Sequence, residues 1–284
     1  MKLYHLYGLA VTSDFICPEL TEITPEQAVA RKLETVRLIR GDVPPTLPEG
    51  RQIADWMWIT SDMALYLLDG IARIRVDRPD CITVDMVHGA AESDMRAYLF
   101  GTGFGTLLHM RRLIPLHISA LQAPEGVVAF TGPSGAGKST KAAEMHFLHG
   151  WSMICDDVAV LHPTDDEPLL HSGVNRIRLW KDAVLRFGMD PETLIRDLHR
   201  EDKFHILLPD RALDRPLPMR RLMVLQPNRD TVAPMTGEAI VTELMNAVYR
   251  PELAALFNDR GAIFLHLARM AALINAPPPV SPSS

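Results

Sequence analysis

The spacing of apolar positions changes twice along this chain. From Tyr4 to Val87 they fall in short runs rich in aromatic and β-branched residues: Tyr4 to Val11, Thr35 to Arg40, Trp56 to Thr60, Ala64 to Leu68, Ile71 to Val76 and Cys81 to Val87. Such runs predict strands. Asp69-Gly70 between two of them is a hairpin signal, and Arg78-Pro79-Asp80 marks another turn. Between residues 90 and 112 the period lengthens, with Met95, Tyr98, Leu99, Leu107, Leu108 and Met110 on one face, which predicts helix. Strand-like runs return at Leu116 to Leu121, Val127 to Thr131, Trp151 to Cys155, Val158 to Leu161, His205 to Leu208 and Arg220 to Leu225. Residues 180–187 and 191–199 read as short helical patches. Three further helical stretches, 236–246, 251–259 and 262–275, close the pattern, with Pro251 suited to a helix start. The expected organisation is a β-rich region over 1–89, an α/β domain over 90–275, and a disordered tail of proline and serine over 276–284.

The stretch from Val127 to Asp157 organises the rest. Its apolar run leads into Gly132-Pro133-Ser134-Gly135-Ala136-Gly137-Lys138-Ser139-Thr140, the strand, glycine loop and helix order of a phosphate-binding P-loop. Glycines admit backbone angles that turn successive N–H groups inward around phosphate oxygens. The helix that follows directs its positive end at the same anion. In that reading the cofactors are ATP and Mg²⁺, with Lys138 between the β- and γ-phosphates and the Ser139 hydroxyl on the metal.

About eleven helical residues later comes Gly150, a plausible C-cap, and then a short apolar segment that delivers Asp156 and Asp157. Adjacent strand residues face opposite ways, so the two acids need not share a task. One is suited to accept a hydroxyl proton and the other to hold a metal. Residues 122–126, QAPEG, have hairpin-loop composition, which places His117 on the strand paired with the one entering the glycine loop.

These residues carry a resemblance. GPSGAGKST followed by HGWSMICDD, with His117 fifteen residues before Gly132, resembles the catalytic half of HPr kinase/phosphorylase, a P-loop serine-kinase family whose core is similar to phosphoenolpyruvate carboxykinase. The likeness is specific over residues 115–161. Weaker matches in HSGVNRIRLWKDAV, DKFHILLP and the opening LYGLAVTSDFICPEL are similar to divergent members, including lasso-peptide tailoring kinases. The resemblance implies Asp156 as general base, Asp157 in support of metal and site geometry, and His117 beside the acids. It also implies Lys203 as a phosphate contact, and as acceptor a serine on a peptide or small protein. The first 114 residues do not resemble the regulatory domain of the HPr enzyme. A small-molecule hydroxyl kinase and a nucleotide-driven regulatory switch are the competing readings.

Composition narrows the partners. The chain has 284 residues, of which 29 are basic and 35 acidic, for a net charge of −6. That balance gives no support to a non-specific nucleic-acid binder. Three cysteines without metal-ligand spacing read as free thiols in a reducing compartment. The N-terminus makes a poor signal peptide and no apolar run is long enough to span a bilayer, so a soluble cytoplasmic protein is expected, with homo-oligomerisation open.

Other candidates are weighed on local pattern. His146, His149, His162 and His171 lack a completing carboxylate or thiol at plausible spacing, so no metal is expected there. FGTGFG at 100–105 has the wrong spacing for a dinucleotide loop and reads as close helix packing or a break between helices. Either Arg176 or Arg178 faces the nucleotide or acceptor, or both are surface arginines on a strand edge.

Overall fold

A computed structural model describes residues 1–197, 200–208, 215–226, 235 and 237–275. Strands β1 (Lys2–Leu6), β2 (Leu9–Ser13), β3 (Thr21–Glu22), β4 (Glu34–Arg40), β5 (Arg51–Ala54), β6 (Met57–Ile59), β7 (Met63–Leu68), β8 (Ala72–Asp77) and β9 (Cys81–Met86) form one sheet. Their order is β3-β1-β2-β4-β9-β8-β7-β6-β5, with a short helix α1 (Pro25–Ala30) between β3 and β4. Period-two patterning explains the buried face. Along β8, Ala72, Ile74 and Val76 are buried while Arg73, Arg75 and Asp77 are not. Asp69-Gly70 turns the chain between β7 and β8, and Gly70 takes the positive φ that the turn needs.

The run Tyr4 to Val11 is not one strand. It is a hairpin, in which Leu6 pairs with Leu9 across Tyr7 (φ 55) and Gly8 (φ 78). The Tyr7 side chain is buried, so its aromatic character serves packing rather than strand formation. The helical stretch after β9 contains α2 (Glu92–Tyr98), a π-helical turn over Leu99–Gly103, and α3 (Phe104–Met110). The glycines therefore do not break the helix. A Cβ on Gly105 would lie 2.9 Å from Tyr249 Cε1, so that glycine admits a close ring contact.

Next come β10 (Ile114–Leu116), β11 (Ser119–Ala123), β12 (Gly126–Thr131), α4 (Lys138–His149), β13 (Ser152–Cys155), β14 (Ala159–Leu161) and β15 (Leu169–Leu170). They are followed by β16 (Arg176–Trp180), α5 (Lys181–Arg186), β17 (Ile195–Asp197), β18 (Arg200–Leu207), β19 (Leu217–Val224), α6 (Glu238–Asn246), α7 (Pro251–Phe257) and α8 (Arg260–Ala271). A five-stranded mixed sheet runs β13-β11-β12-β19-β15, with β12 parallel to β19. Both its faces are covered. Val127 and Ala129 pack with residues of α6 and α8, whereas Val128 and Phe130 pack with α4 and the three-stranded sheet β16-β18-β17. Burial on two sides accounts for the unbroken apolar run before the glycine loop.

The helical patch expected over 191–199 is corrected by the structure. Pro191–Thr193 form a single 3-10 turn, and Ile195–Asp197 pair with β18 as a strand. Asp190 caps the turn by accepting from Glu192 N, and β-branched Ile195 then enters the ladder. Similarly, the strand expected from His205 begins at Arg200 and takes in Lys203. The tail 276–284 lies outside the described residues. Among those described, no helix is long and apolar enough to cross a membrane.

Candidate functional site

The loop between β12 and α4 is shaped by three glycines with positive φ: Gly132 at 137°, Gly135 at 83° and Gly137 at 89°. They serve different ends. A Cβ on Gly132 would stand 2.3 Å from the Leu225 carbonyl oxygen, because β19 runs alongside, so this glycine is needed for strand packing. At Gly135 and Gly137 a Cβ would meet nothing within 4 Å, so only the positive φ, not crowding, favours glycine there. No side chain caps α4 at Gly137, so its first N–H groups remain for a ligand. Lys138 is buried, and its ammonium donates to the carbonyls of Gly132 (2.9 Å) and Pro133 (3.3 Å). Burial pushes this amine below its usual range, against the pull of Asp157 and Asp156.

Both acids follow directly on the end of β13 rather than lying within a strand. Because β11 pairs with both β12 and β13, with Ala120 opposite Cys155, Ser119 comes beside Asp156. Ser119 Oγ donates to Asp156 Oδ1 at 2.6 Å, and the Arg178 backbone N–H donates to Oδ2 at 3.1 Å. Asp156 is thus buried and held on both oxygens. Asp157 adopts a left-handed backbone (φ 75) that turns its carboxylate the other way. Its Oδ2 lies 2.5 Å from Arg178 Nη2 and its Oδ1 3.4 Å from His117 Nδ1. Burial opposes its ionisation, but Arg178 and His117 outweigh burial and hold the carboxyl below the usual carboxylate range.

His117 was expected on the strand paired with β12. It sits instead in the gap between β10 and β11, where its N–H donates to the Ala247 carbonyl (2.6 Å) and its ring stacks on Tyr249. The chain changes sheets there, β10 pairing with β14, and this exchange turns the imidazole toward Asp157. Burial lowers its pKa below the ordinary imidazole range, with Asp157 pulling in the opposite direction.

Ser134, Gly135, Gly137, Lys138, Ser139 and Thr140 line a cavity of about 620 Å³ together with His117, Asp156, Asp157, Arg178 and Lys203. Gly132, Pro133 and Ala136 are not among its walls; they shape the loop from behind, and Pro133 accepts from Ala136 N. Arg176 and Arg178 both line it, one residue apart on either side of buried Ile177, as alternation on β16 requires. Lys203 lies over the Trp180 ring at 5.6 Å, and burial with the nearby Arg178 and Arg200 lowers its pKa.

Sequence reasoning missed Ser119, Arg200, Tyr249 and Arg250, which also line the cavity. It missed Glu19 as well, whose buried carboxylate takes Arg96 at 3.0 Å on both oxygens and stands 3.9 Å from Arg176. A buried glutamate in the β-rich region has no local signature; only the low exposure of its partners marks it. Of the four histidines weighed for metal, His162 and His171 stack at 3.8 Å, while His146 bonds the Trp151 carbonyl.

Comparison with models of known protein families finds no match to this chain, and a search of curated proteins finds no relative.

Proposed function

We propose that this chain is an ATP- and Mg²⁺-dependent kinase of the HPr kinase/phosphorylase type, transferring the γ-phosphoryl group to a serine hydroxyl of a peptide or small protein. One observation carries the reading: a glycine loop with its lysine and a pair of carboxylates from the next strand face one cavity. A lasso-peptide precursor is the acceptor that the weaker sequence likenesses favour.

In this reading the loop N–H groups and Lys138 hold the nucleotide phosphates, with Thr140, Arg178 and Lys203 around them. The donor set suits Mg²⁺. Ser139, Asp156 and Asp157 offer hard oxygens only, and this ion takes one or two carboxylates beside phosphate oxygens and water. Ser139 and Asp157 would hold it, and when bound it neutralises charge on the phosphates. Asp156 keeps lone pairs beyond those used by Ser119 and Arg178, since an ionised carboxylate has about four acceptor positions. It accepts the proton of the serine hydroxyl as that oxygen bonds to the γ-phosphorus and the bond to the leaving ADP oxygen breaks. His117 and Arg178 hold Asp157 in place by their contacts with its two oxygens.

The test is intact-mass measurement of serine-bearing peptides and of small alcohols after incubation with ATP and Mg²⁺. A gain of about 80 Da on a peptide, one phosphate, supports the kinase. Steady ATP hydrolysis with no modified peptide, or a phosphorylated alcohol alone, rejects peptide phosphorylation.

A further inference from the structure

Tyr7 lines the cavity just described, and the next residue, Gly8, lines a second cavity of about 750 Å³. Among the described residues its walls carry Arg31, Lys32, Arg111, Arg112 and Arg215 against a single carboxylate, Glu34, which Arg111 engages. Five cations against one acid is a marked local excess in a chain whose net charge is −6.

Two of the cations sit where their side chains are costly. Helix α1 ends at Arg31, and Lys32 N donates to the Val29 carbonyl while Leu33 N donates to that of Ala28. Helix α3 ends at Arg111 in the same way, with Arg112 N to His109 and Leu113 N to Leu108. Both are Schellman caps, whose left-handed residue is usually glycine. Here that residue is Lys32 (φ 53) in one and Arg112 (φ 62) in the other. Attraction to the helix C-terminus accounts for basic residues in the last turn. It does not account for a long cation in the one position where glycine is easier, in two helices that end at the same cavity.

These cations are also uncommitted. Among the described residues, the side chains of Lys32, Arg112 and Arg215 form no hydrogen bond or ion pair, and all three are exposed. A further donor stands behind them. His171 Nε2 is buried 3.5 Å from Asp165 Oδ2, and neither atom completes a hydrogen bond. Leu33 and Leu113, which follow the two caps, give the same cavity apolar wall.

We propose that this second cavity binds a small organic phosphate, its phosphate group held by Lys32 and Arg112 from the two helix ends and its carbon body lying against Leu33 and Leu113. A phosphate monoester has up to two negative charges and three terminal oxygens, so it engages cations from two walls at once. A carboxylate, with one charge and two oxygens, leaves part of that excess unmet. The site does not depend on the kinase reading, because no residue of the glycine loop or the acid pair lines it.

Glycerol 3-phosphate and inorganic phosphate are titrated calorimetrically into the full chain carrying Lys138→Ala, which weakens phosphate binding at the first cavity. The titrations are repeated after adding Lys32→Gly and Arg112→Gly. Glycine suits a left-handed cap, so this pair removes charge without loosening the helices, and the melting temperature should hold or rise. The expected result is saturable binding of glycerol 3-phosphate, tighter than that of inorganic phosphate and weakened at least about tenfold by the two substitutions. No saturable binding, or binding indifferent to the pair, overturns the site. Equal binding of the two probes overturns the organic ligand and leaves the phosphate group alone.

Discussion

Ser119 Oγ and Asp156 Oδ1 are 2.6 Å apart, joined across the ladder between β11 and β13. The serine hydroxyl fixes the rotamer of the acid proposed as general base. Asp156→Asn should abolish phosphoryl transfer and leave nucleotide affinity within about threefold, since the base acts on the acceptor and not on the nucleotide. Ser119→Ala should lower kcat by roughly tenfold, the worth of one hydrogen bond to a charged group, with little change in nucleotide KM. Steady-state kinetics separate the two, and near-normal transfer by Asp156→Asn would sink the assignment.

Asp157 and Arg178 form a half-buried ion pair on a left-handed backbone. Asparagine tolerates that conformation, so Asp157→Asn removes charge without adding strain. Stability should fall by about 2 kcal/mol, between the values for exposed and buried pairs. Urea unfolding measures it. Adding Arg178→Gln should cost much less than the sum of the two single changes, and strict additivity would show that the pair is not coupled.

Gly132 and Gly135 should respond differently to the same substitution. Gly132→Ala forces a Cβ against the Leu225 carbonyl and should cost at least about 2 kcal/mol of stability. Gly135→Ala meets open space and should cost only about 1 kcal/mol of backbone strain, while adding a methyl at a residue that lines the cavity. Thermal unfolding and nucleotide binding should therefore separate: loss of fold in the first, loss of binding with the fold kept in the second.

Stability should decline on mild acidification. Burial lowers the pKa of His5 and His162 from 6.5 to about 4. A folded-state pKa below the unfolded value means that the unfolded chain binds more protons between the two. The contribution is thus full above pH 6.5 and is lost as pH falls toward 4, by up to roughly 3 kcal/mol per ring. Denaturant midpoints at pH 7.5, 6 and 5 should fall in that order. His162→Gln should flatten the trend, and an unchanged trend would remove the ring from this account.

Much of the local architecture was legible in the residues. The Asp69-Gly70 hairpin, the strand before Gly132, the helix from Lys138 and the C-terminal helices each depend on a window of a few residues. Failures came where an apolar or aromatic residue had two uses. Tyr7 read as strand and is a buried turn residue; 191–199 read as helix and Ile195 is paired with His205. The run Leu116 to Leu121 beside QAPEG reads as one strand carrying His117, and the change of sheet between β10 and β11 leaves no mark on that apolar pattern.

By itself the sequence determined the glycine loop, its lysine and the two acids after a short strand, because backbone freedom at glycine and the alternation of a strand are local properties. Tertiary structure alone decided that Ser119 would clamp Asp156, that Glu19 would anchor the Arg176 wall, and that Tyr249 and Arg250 would close a cavity begun more than a hundred residues earlier. It likewise brought the ends of α1 and α3 to one basic cavity. Such contacts are set by which buried faces meet across the sheets, and that free energy belongs to pairs of distant residues rather than to any one stretch of chain.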